Sequence, residues 1–121
     1  MGKRILVVED TEDNRRIIRD LLTSFGYELI EARDGAEGVA MAQSHRPDLI
    51  LMDIQLPVMD GYEATRRIRA HPDLKHIPVI AVTSYALSGD EAKARAAGCD
   101  AYIAKPFSPR QLLAKVREFL D

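Results

Sequence analysis

Leu49-Ile50-Leu51-Met52, preceded by Pro47-Asp48 and closed by Asp53, is an apolar run of strand length with no polar alternation. A strand with one wet face alternates apolar and polar residues, whereas a strand covered by helices on both faces reads as continuous Leu, Ile and Val. Arg4-Ile5-Leu6-Val7-Val8 upstream and Val79-Ile80-Ala81-Val82 downstream have the same character. Two further runs complete a series of five: Glu28-Leu29-Ile30-Glu31-Ala32, which alternates and so belongs at a sheet edge, and Ala101-Tyr102-Ile103-Ala104. A stretch of helical periodicity follows each, so the chain reads as β then α, five times over.

The helices carry their own end signals. Thr11 caps a first helix whose apolar positions, Ile17, Ile18, Leu21, Leu22 and Phe25, recur at three- and four-residue intervals, and Gly26 ends it. Asp34 opens a second that runs to His45, with Pro47 as a stop, and a third runs from Gly61 to Ala70 ahead of His71-Pro72. A fifth, introduced by Ser108-Pro109, aligns Leu112, Leu113, Val116, Phe119 and Leu120 on one side. The fourth, Asp90 to Ala97, offers only Ala92, Ala94, Ala96 and Ala97 to the core, and so little apolar area predicts weak anchoring. Right-handed crossovers convert five such units into an α/β fold: a flavodoxin-like (βα)5 three-layer sandwich with a parallel five-stranded sheet in the order 2-1-3-4-5. Ligands of such sheets bind at the carboxyl ends of the strands.

With 121 residues the chain has room for one domain, and 46% apolar with 30% charged residues is the composition of an ordinary globular protein. Seventeen basic against nineteen acidic residues give a net charge of −2, without the basic footprint of a nucleic-acid binder, so no direct nucleic-acid contact is expected. The N-terminal apolar run, Ile5 to Val8, is too short for a signal peptide or a membrane span, so no membrane association is expected. Gly2 lacks the Ser or Thr that a myristoylation motif places at position 6, which is Leu6. The single Cys99 cannot bridge within the chain and fits a reducing, cytoplasmic setting.

The strand ends deliver polar groups to one edge: Glu9 and Asp10 after the first, Asp53 after the third, Thr83 and Ser84 after the fourth, Lys105-Pro106 after the fifth. One polar residue past a strand is ordinarily a solvated loop residue; four elements converging on the ligand-binding edge are not so easily dismissed. Three carboxylates raise one another's proton affinity unless a cation sits among them. An oxygen-only donor set without His or Cys nearby selects a hard ion, and Mg²⁺ suits a shallow site of this kind. The turn Glu9-Asp10-Thr11-Glu12-Asp13 lacks the glycines and bare N–H donors of a phosphate-binding loop, which disfavours nucleotide and flavin cofactors.

At these residues the chain resembles a known family. Ile-Leu-Val-Val-Glu-Asp (5–10), Pro-Asp-Leu-Ile-Leu-Met-Asp-Ile-Gln-Leu-Pro-Val-Met-Asp-Gly (47–61), Pro-Val-Ile-Ala-Val-Thr (78–83) and Gly-Cys-Asp-Ala-Tyr-Ile-Ala-Lys-Pro-Phe (98–107) look like a response-regulator receiver domain of the CheY-like superfamily. The resemblance covers residues 1–121 as a single domain. It is strongest to stand-alone bacterial regulators of the DivK type, since no linker or effector segment follows Asp121.

The resemblance implies a two-component phospho-acceptor switch, in which Asp53 takes a phosphoryl group from a phosphohistidine on a sensor histidine kinase or a histidine phosphotransfer protein. It implies Mg²⁺ held by Glu9, Asp10, Asp53 and the backbone carbonyl of Gln55. Lys105 would pair with the phosphoryl group, ahead of a cis peptide to Pro106, a residue type that permits one. Thr83 would be the switch hydroxyl, supported by Ser84, and Tyr102 the aromatic that turns inward as Thr83 moves, although plain strand packing accounts for a tyrosine there almost as well. Gln55 and Tyr85 sit where the family tunes dephosphorylation. The activity is stoichiometric, phosphorylation from a donor followed by slow self-dephosphorylation, rather than enzymatic turnover. Partners implied beyond the donor are a downstream protein target reached through helix 4, strand 5 and helix 5, and a second copy of the chain through that surface or through helices 1 and 5.

Plainer readings hold for the remaining residues. His45, His71 and His76 show no ligand spacing and are expected at the surface. Cys99 is expected to be a small packed residue. Arg66, Arg67 and Arg69 are expected on the wet face of helix 3, and Glu12, Arg15, Arg16 and Arg19 are surface candidates for choosing the donor. A Mg²⁺-dependent phosphohydrolase is the chief rival, but one such family needs a second Asp two residues after the nucleophile, where this chain has Gln55. Two further rivals are a flavin protein on the same fold, disfavoured by the acidic turn after the first strand, and a receiver cut from a longer kinase or transcription factor.

Overall fold

The computed structural model describes residues 2–83 and 90–120. Five strands, β1 (Arg4–Val8), β2 (Glu28–Ala32), β3 (Leu49–Asp53), β4 (Val79–Thr83) and β5 (Ala101–Ala104), alternate with five helices, α1 (Glu12–Ser24), α2 (Gly35–His45), α3 (Gly61–Ala70), α4 (Asp90–Ala97) and α5 (Pro109–Leu120). All pairings are parallel and the sheet order is β2-β1-β3-β4-β5, with β1 and β3 adjacent in the middle and the alternating β2 at an edge, as expected. No helix among the described residues is long and apolar enough to cross a membrane.

The layers follow from the two-residue period of a strand. Leu6, Val8, Ile50, Met52 and Ala81 point to one face, where Ala42 of α2, Ala64 and Ile68 of α3 and Ala94 of α4 cover them. Ile5, Val7, Leu49, Leu51 and Ile80 point to the other, beneath Ile18 and Leu22 of α1 and Leu112 and Val116 of α5. Of the four alanines of α4 only Ala94 and Ala97 are buried, so this helix contributes two methyl groups where α1 and α5 contribute isoleucine, leucine and valine.

Caps set where the helices begin. Asp34 and Asp60 accept from the N–H of Glu37 at 2.8 Å and Glu63 at 2.9 Å. Ser108 and Gln111 cap α5 reciprocally, side chain to backbone N–H in both directions, at 3.1 and 2.8 Å. Thr11 holds the N-cap position of α1 in extended conformation but makes no side-chain cap bond.

Four expectations are corrected. On α1, Ile17 and Phe25 are 60% and 49% exposed, while Arg15 is buried at 7%. The polar groups that Arg15 meets explain the exchange: its guanidinium bonds the Glu9 carbonyl and the Glu12 and Glu31 carboxylates. Arg69 is not on the wet face of α3. Its guanidinium donates to the carbonyls of Gly98 and Ile77 at 2.8 and 2.7 Å and to Asp100 Oδ2 at 2.6 Å, and Asp100 also accepts from the Val79 N–H. His71 is half-buried rather than at the surface, with an enclosed Nδ1 that has no hydrogen-bond partner among the described residues.

Candidate functional site

Glu9 and Asp53 stand at the carboxyl ends of the two central strands, 2% and 5% exposed, on the sheet face covered by α1. Glu9 is held on every side. Its N–H donates to the Ala32 carbonyl, its Oε2 accepts from the Thr11 N–H at 3.2 Å, and its Oε1 accepts from Asn14 at 3.3 Å and Lys105 Nζ at 2.8 Å. Lys105 also reaches Asp53 Oδ2, at 3.2 Å, while Asp53 Oδ1 accepts from the Gln55 N–H at 3.1 Å. Asp10 follows Glu9 and is exposed, and the three carboxylates present oxygens within 4.8 Å of one another.

Such crowding redistributes protons. Burial, then the neighbouring Glu9 charge, raise Asp53 to about 6, against the opposing pull of Lys105. Burial alone would raise Glu9 as well, but hydrogen bonds from Lys105 and from its acidic neighbours outweigh it and hold Glu9 at about 2. Burial and Glu9 together raise Asp10. Burial would lower Lys105, yet Glu9 and Asp53 more than offset it, and the ammonium is retained. Proton affinities pushed apart in this way, Asp53 up and Glu9 down, mark crowded carboxylates without a cation among them, and the all-oxygen donor set fits a hard divalent ion such as Mg²⁺.

Beyond Asp53, whose Oδ1 holds the Gln55 N–H, the loop after β3 folds through two tight turns. Leu56 N–H donates to the Ile54 carbonyl at 3.2 Å and Met59 N–H to the Pro57 carbonyl at 2.7 Å. The second turn closes about Val58, whose φ is +70° and whose side chain is 83% exposed. A β-branched residue is seldom found there, and nothing in the sequence announces it. Gly61 then passes so close beneath that a methyl group on it would lie 2.3 Å from the Asp53 carbonyl oxygen.

Thr83 ends β4, is 1% exposed, and accepts from the Lys105 N–H through its carbonyl at 2.6 Å. The peptide between Lys105 and Pro106 is cis. Tyr102 pairs in register with Ala81, Thr83 with Ala104, and Tyr102 packs on the α3–α4 face of the sheet, half-buried. Strand alternation puts Thr83 on that face too. Glu9, Asp10, Asp53, Gln55, Thr83 and Lys105 thus meet at one edge, with Tyr102 one strand step away; Ser84 and Tyr85 lie outside the described residues. Cys99 is a packed residue, 5% exposed, its thiol pushed up by burial.

Two features of the site escape sequence reasoning. Ile17, a core position by periodicity, lines a cleft of about 240 Å³ with Glu9, Asn14, Lys105, Pro106 and Phe107. Arg15, a surface position by polarity, lies behind Glu9. The spacing of Ile17 beside Ile18 is the available signal, since two adjacent positions of a helix cannot both face the sheet squarely.

Comparison with known proteins gives the arrangement its context. The family profile described as the response regulator receiver domain matches residues 5–117. The polar-differentiation response regulator DivK of Brucella anthropi is 48% identical over 120 residues, covering 99% of this chain and 98% of that one, and DivK of Brucella ovis is 47% identical over the same extent. Among solved structures, the receiver domain of a sensor histidine kinase from Pseudomonas aeruginosa, with a magnesium ion coordinated in its active-site cleft, superposes with a TM-score of 0.92 at 42% identity, covering 99% of this chain and 98% of that one. The chemotaxis response regulator CheY4 of Vibrio cholerae superposes at 0.93 with 30% identity, over 98% and 99% of the two chains.

Proposed function

The chain belongs to the response regulator receiver domain family, and on that premise we propose that Asp53 is the residue through which it accepts phosphate. It is a two-component phospho-acceptor regulator; the division of labour among its residues is our inference. The carrying observation is the placement of Asp53: buried at the end of a central strand, beside two carboxylates, with the Lys105 ammonium 3.2 Å away.

An Asp53 carboxylate oxygen attacks the phosphorus of a phosphohistidine; the P–N bond breaks and the donor imidazole leaves. Glu9, Asp10, Asp53 and the Gln55 carbonyl would hold Mg²⁺, which when bound offsets charge on the phosphoryl oxygens. Lys105 pairs with one of those oxygens, and Thr83 donates its hydroxyl to another. Because Thr83 and Tyr102 share the face that α4 covers, movement at Thr83 is transmitted to α4, β5 and α5, the surface offered to a downstream protein. Two buried alanine methyls hold α4 to the sheet, which keeps it near balance between two packings.

Residues 1–121 act in this reading as a single receiver unit, phosphorylated by a sensor kinase or phosphotransfer protein in the cytoplasm, with a second copy of the chain as a further partner. The activity is stoichiometric and ends by slow self-dephosphorylation.

Intact mass after incubation with acetyl phosphate tests the reading. A Mg²⁺-dependent gain of one phosphoryl group by the wild type, absent from Asp53→Asn, is expected. A gain that persists in Asp53→Asn would overturn it. Hydrogen exchange adds a check on α4, whose amides are expected to exchange faster than those of α5.

A further inference from the structure

The Arg15 guanidinium occupies a buried position behind the carboxylate cluster and touches none of the atoms that would meet a phosphoryl group. Its Nη1 donates to the Glu9 carbonyl oxygen at 2.6 Å, its Nη2 pairs with Glu12, and its Nε lies 3.3 Å from Glu31 Oε1. One planar fork therefore ties the end of β1, the first turn of α1 and the edge strand β2. The contact with Glu9 is the informative one. The Glu9 N–H is already held by Ala32 and its carboxylate by Thr11, Asn14 and Lys105, so Arg15 fixes the remaining polar group of that residue, the carbonyl of the peptide that leads into Asp10.

We infer that Arg15 is a positioning residue for the metal site: by fixing the Glu9–Asp10 peptide it sets the direction in which the exposed Asp10 carboxylate points relative to Glu9 and Asp53. Outer-shell groups that orient metal ligands govern affinity without touching the ion. The effect is one of position more than charge, because Glu12 and Glu31 neutralise the guanidinium locally. Arg19 provides an internal control. It pairs with the same two carboxylates, bidentately with Glu31 at 2.8 and 3.0 Å and with Glu12 at 3.2 Å, but has no bond to Glu9.

The inference rests on the metal reading given above, and direct titration with Mg²⁺ by calorimetry separates the two. Arg15→Met, which keeps the unbranched stem, is expected to weaken Mg²⁺ binding by about tenfold. Acetyl phosphate labelling of the same variant should be slow at low Mg²⁺ and recover at saturating Mg²⁺, and Arg19→Met should bind Mg²⁺ close to the wild-type value. Wild-type affinity in Arg15→Met, or equal losses in the Arg15 and Arg19 variants, would overturn the positioning role while leaving the metal site intact. A wild-type protein that takes up no Mg²⁺ would overturn the metal reading and this inference with it. If Arg15→Met does not fold, Arg15→Lys decides by the same criteria, since an ammonium keeps the charge but cannot span three acceptors in a fork.

Discussion

Lys105 Nζ lies closer to Glu9 than to Asp53, 2.8 Å against 3.2 Å. The ammonium is therefore committed first to Glu9, and under the role proposed for Asp53 a phosphoryl group arriving there would have to draw it across. The same geometry makes Lys105 the cationic counterweight to two buried carboxylates.

Removing that counterweight should be costly in the absence of metal. Lys105→Met is expected to lose on the order of 2 kcal/mol at neutral pH, somewhat below the loss for a fully buried pair because the lysine is partly exposed. Added Mg²⁺ should restore more stability to the variant than to the wild type. Urea unfolding of both proteins, with chelator and with Mg²⁺, measures this directly.

Asp53 and Glu9 shift in opposite directions, and their contributions to stability have opposite signs. Asp53 rises from 3.8 to about 6 in the fold, so the folded state holds the extra proton: this contribution is complete below pH 3.8 and is lost as pH rises through 6. Glu9 falls from 4.5 to about 2, so its contribution is complete above pH 4.5 and is lost as pH drops toward 2. Metal-free Asp53→Asn should accordingly be more stable than wild type above pH 6, by on the order of 2–3 kcal/mol, with the difference gone near pH 4. Denaturation midpoints of the two proteins between pH 4 and 7.5, in chelator, give the test.

A methyl group at Gly61 would press on the carbonyl oxygen of Asp53 at 2.3 Å and on the Ile54 Cα at 2.8 Å. Both are backbone atoms that cannot turn aside. Gly61→Ala should cost more than about 2 kcal/mol and shift the acceptor strand end, so that phosphorylation falls along with the thermal midpoint. Circular dichroism melting and intact-mass labelling report the two losses.

Val58 should yield the opposite result. Its φ of +70° is strained for a β-branched side chain, and at 83% exposure it has little packing to lose. Asn tolerates the left-handed region. Val58→Asn should therefore raise stability by about 1 kcal/mol, read as a higher urea midpoint at an unchanged slope.

Legibility in the sequence tracks the range of the interactions involved. The strands, the helices and the polar strand ends Glu9, Asp10, Asp53, Thr83 and Lys105 follow from apolar runs and from what closes them, which are local properties of the chain. Arg15 and Arg69 do not follow, because each is drawn inward by acceptors that helical period does not register: the Glu9 carbonyl and Glu31 on β2 for the one, Ile77, Gly98 and Asp100 for the other. Helical periodicity sorts residues by side-chain polarity and cannot see a carbonyl waiting across a turn. Ile17 departs the other way, its face of α1 turned toward the Lys105 cleft rather than the sheet. The conformation of Val58 is hidden because valine carries no turn signature.

Arg69 and Asp100 clasp the end of α4 farthest from the acceptor: the guanidinium grips the Gly98 carbonyl, and Asp100 is tied to Val79 in the sheet. Held there and lightly packed along its length, α4 is a lever with its fulcrum at the carboxyl end. An eight-residue helix is about 12 Å long, so a tilt of some 20° about that point would sweep its first turn through roughly 4 Å while the last turn stayed in place. Under the role proposed for Asp53, a small rearrangement at that edge would in this way be multiplied into a displacement as wide as a side chain, and a partner seated over the first turn would register it where one seated over the last would not.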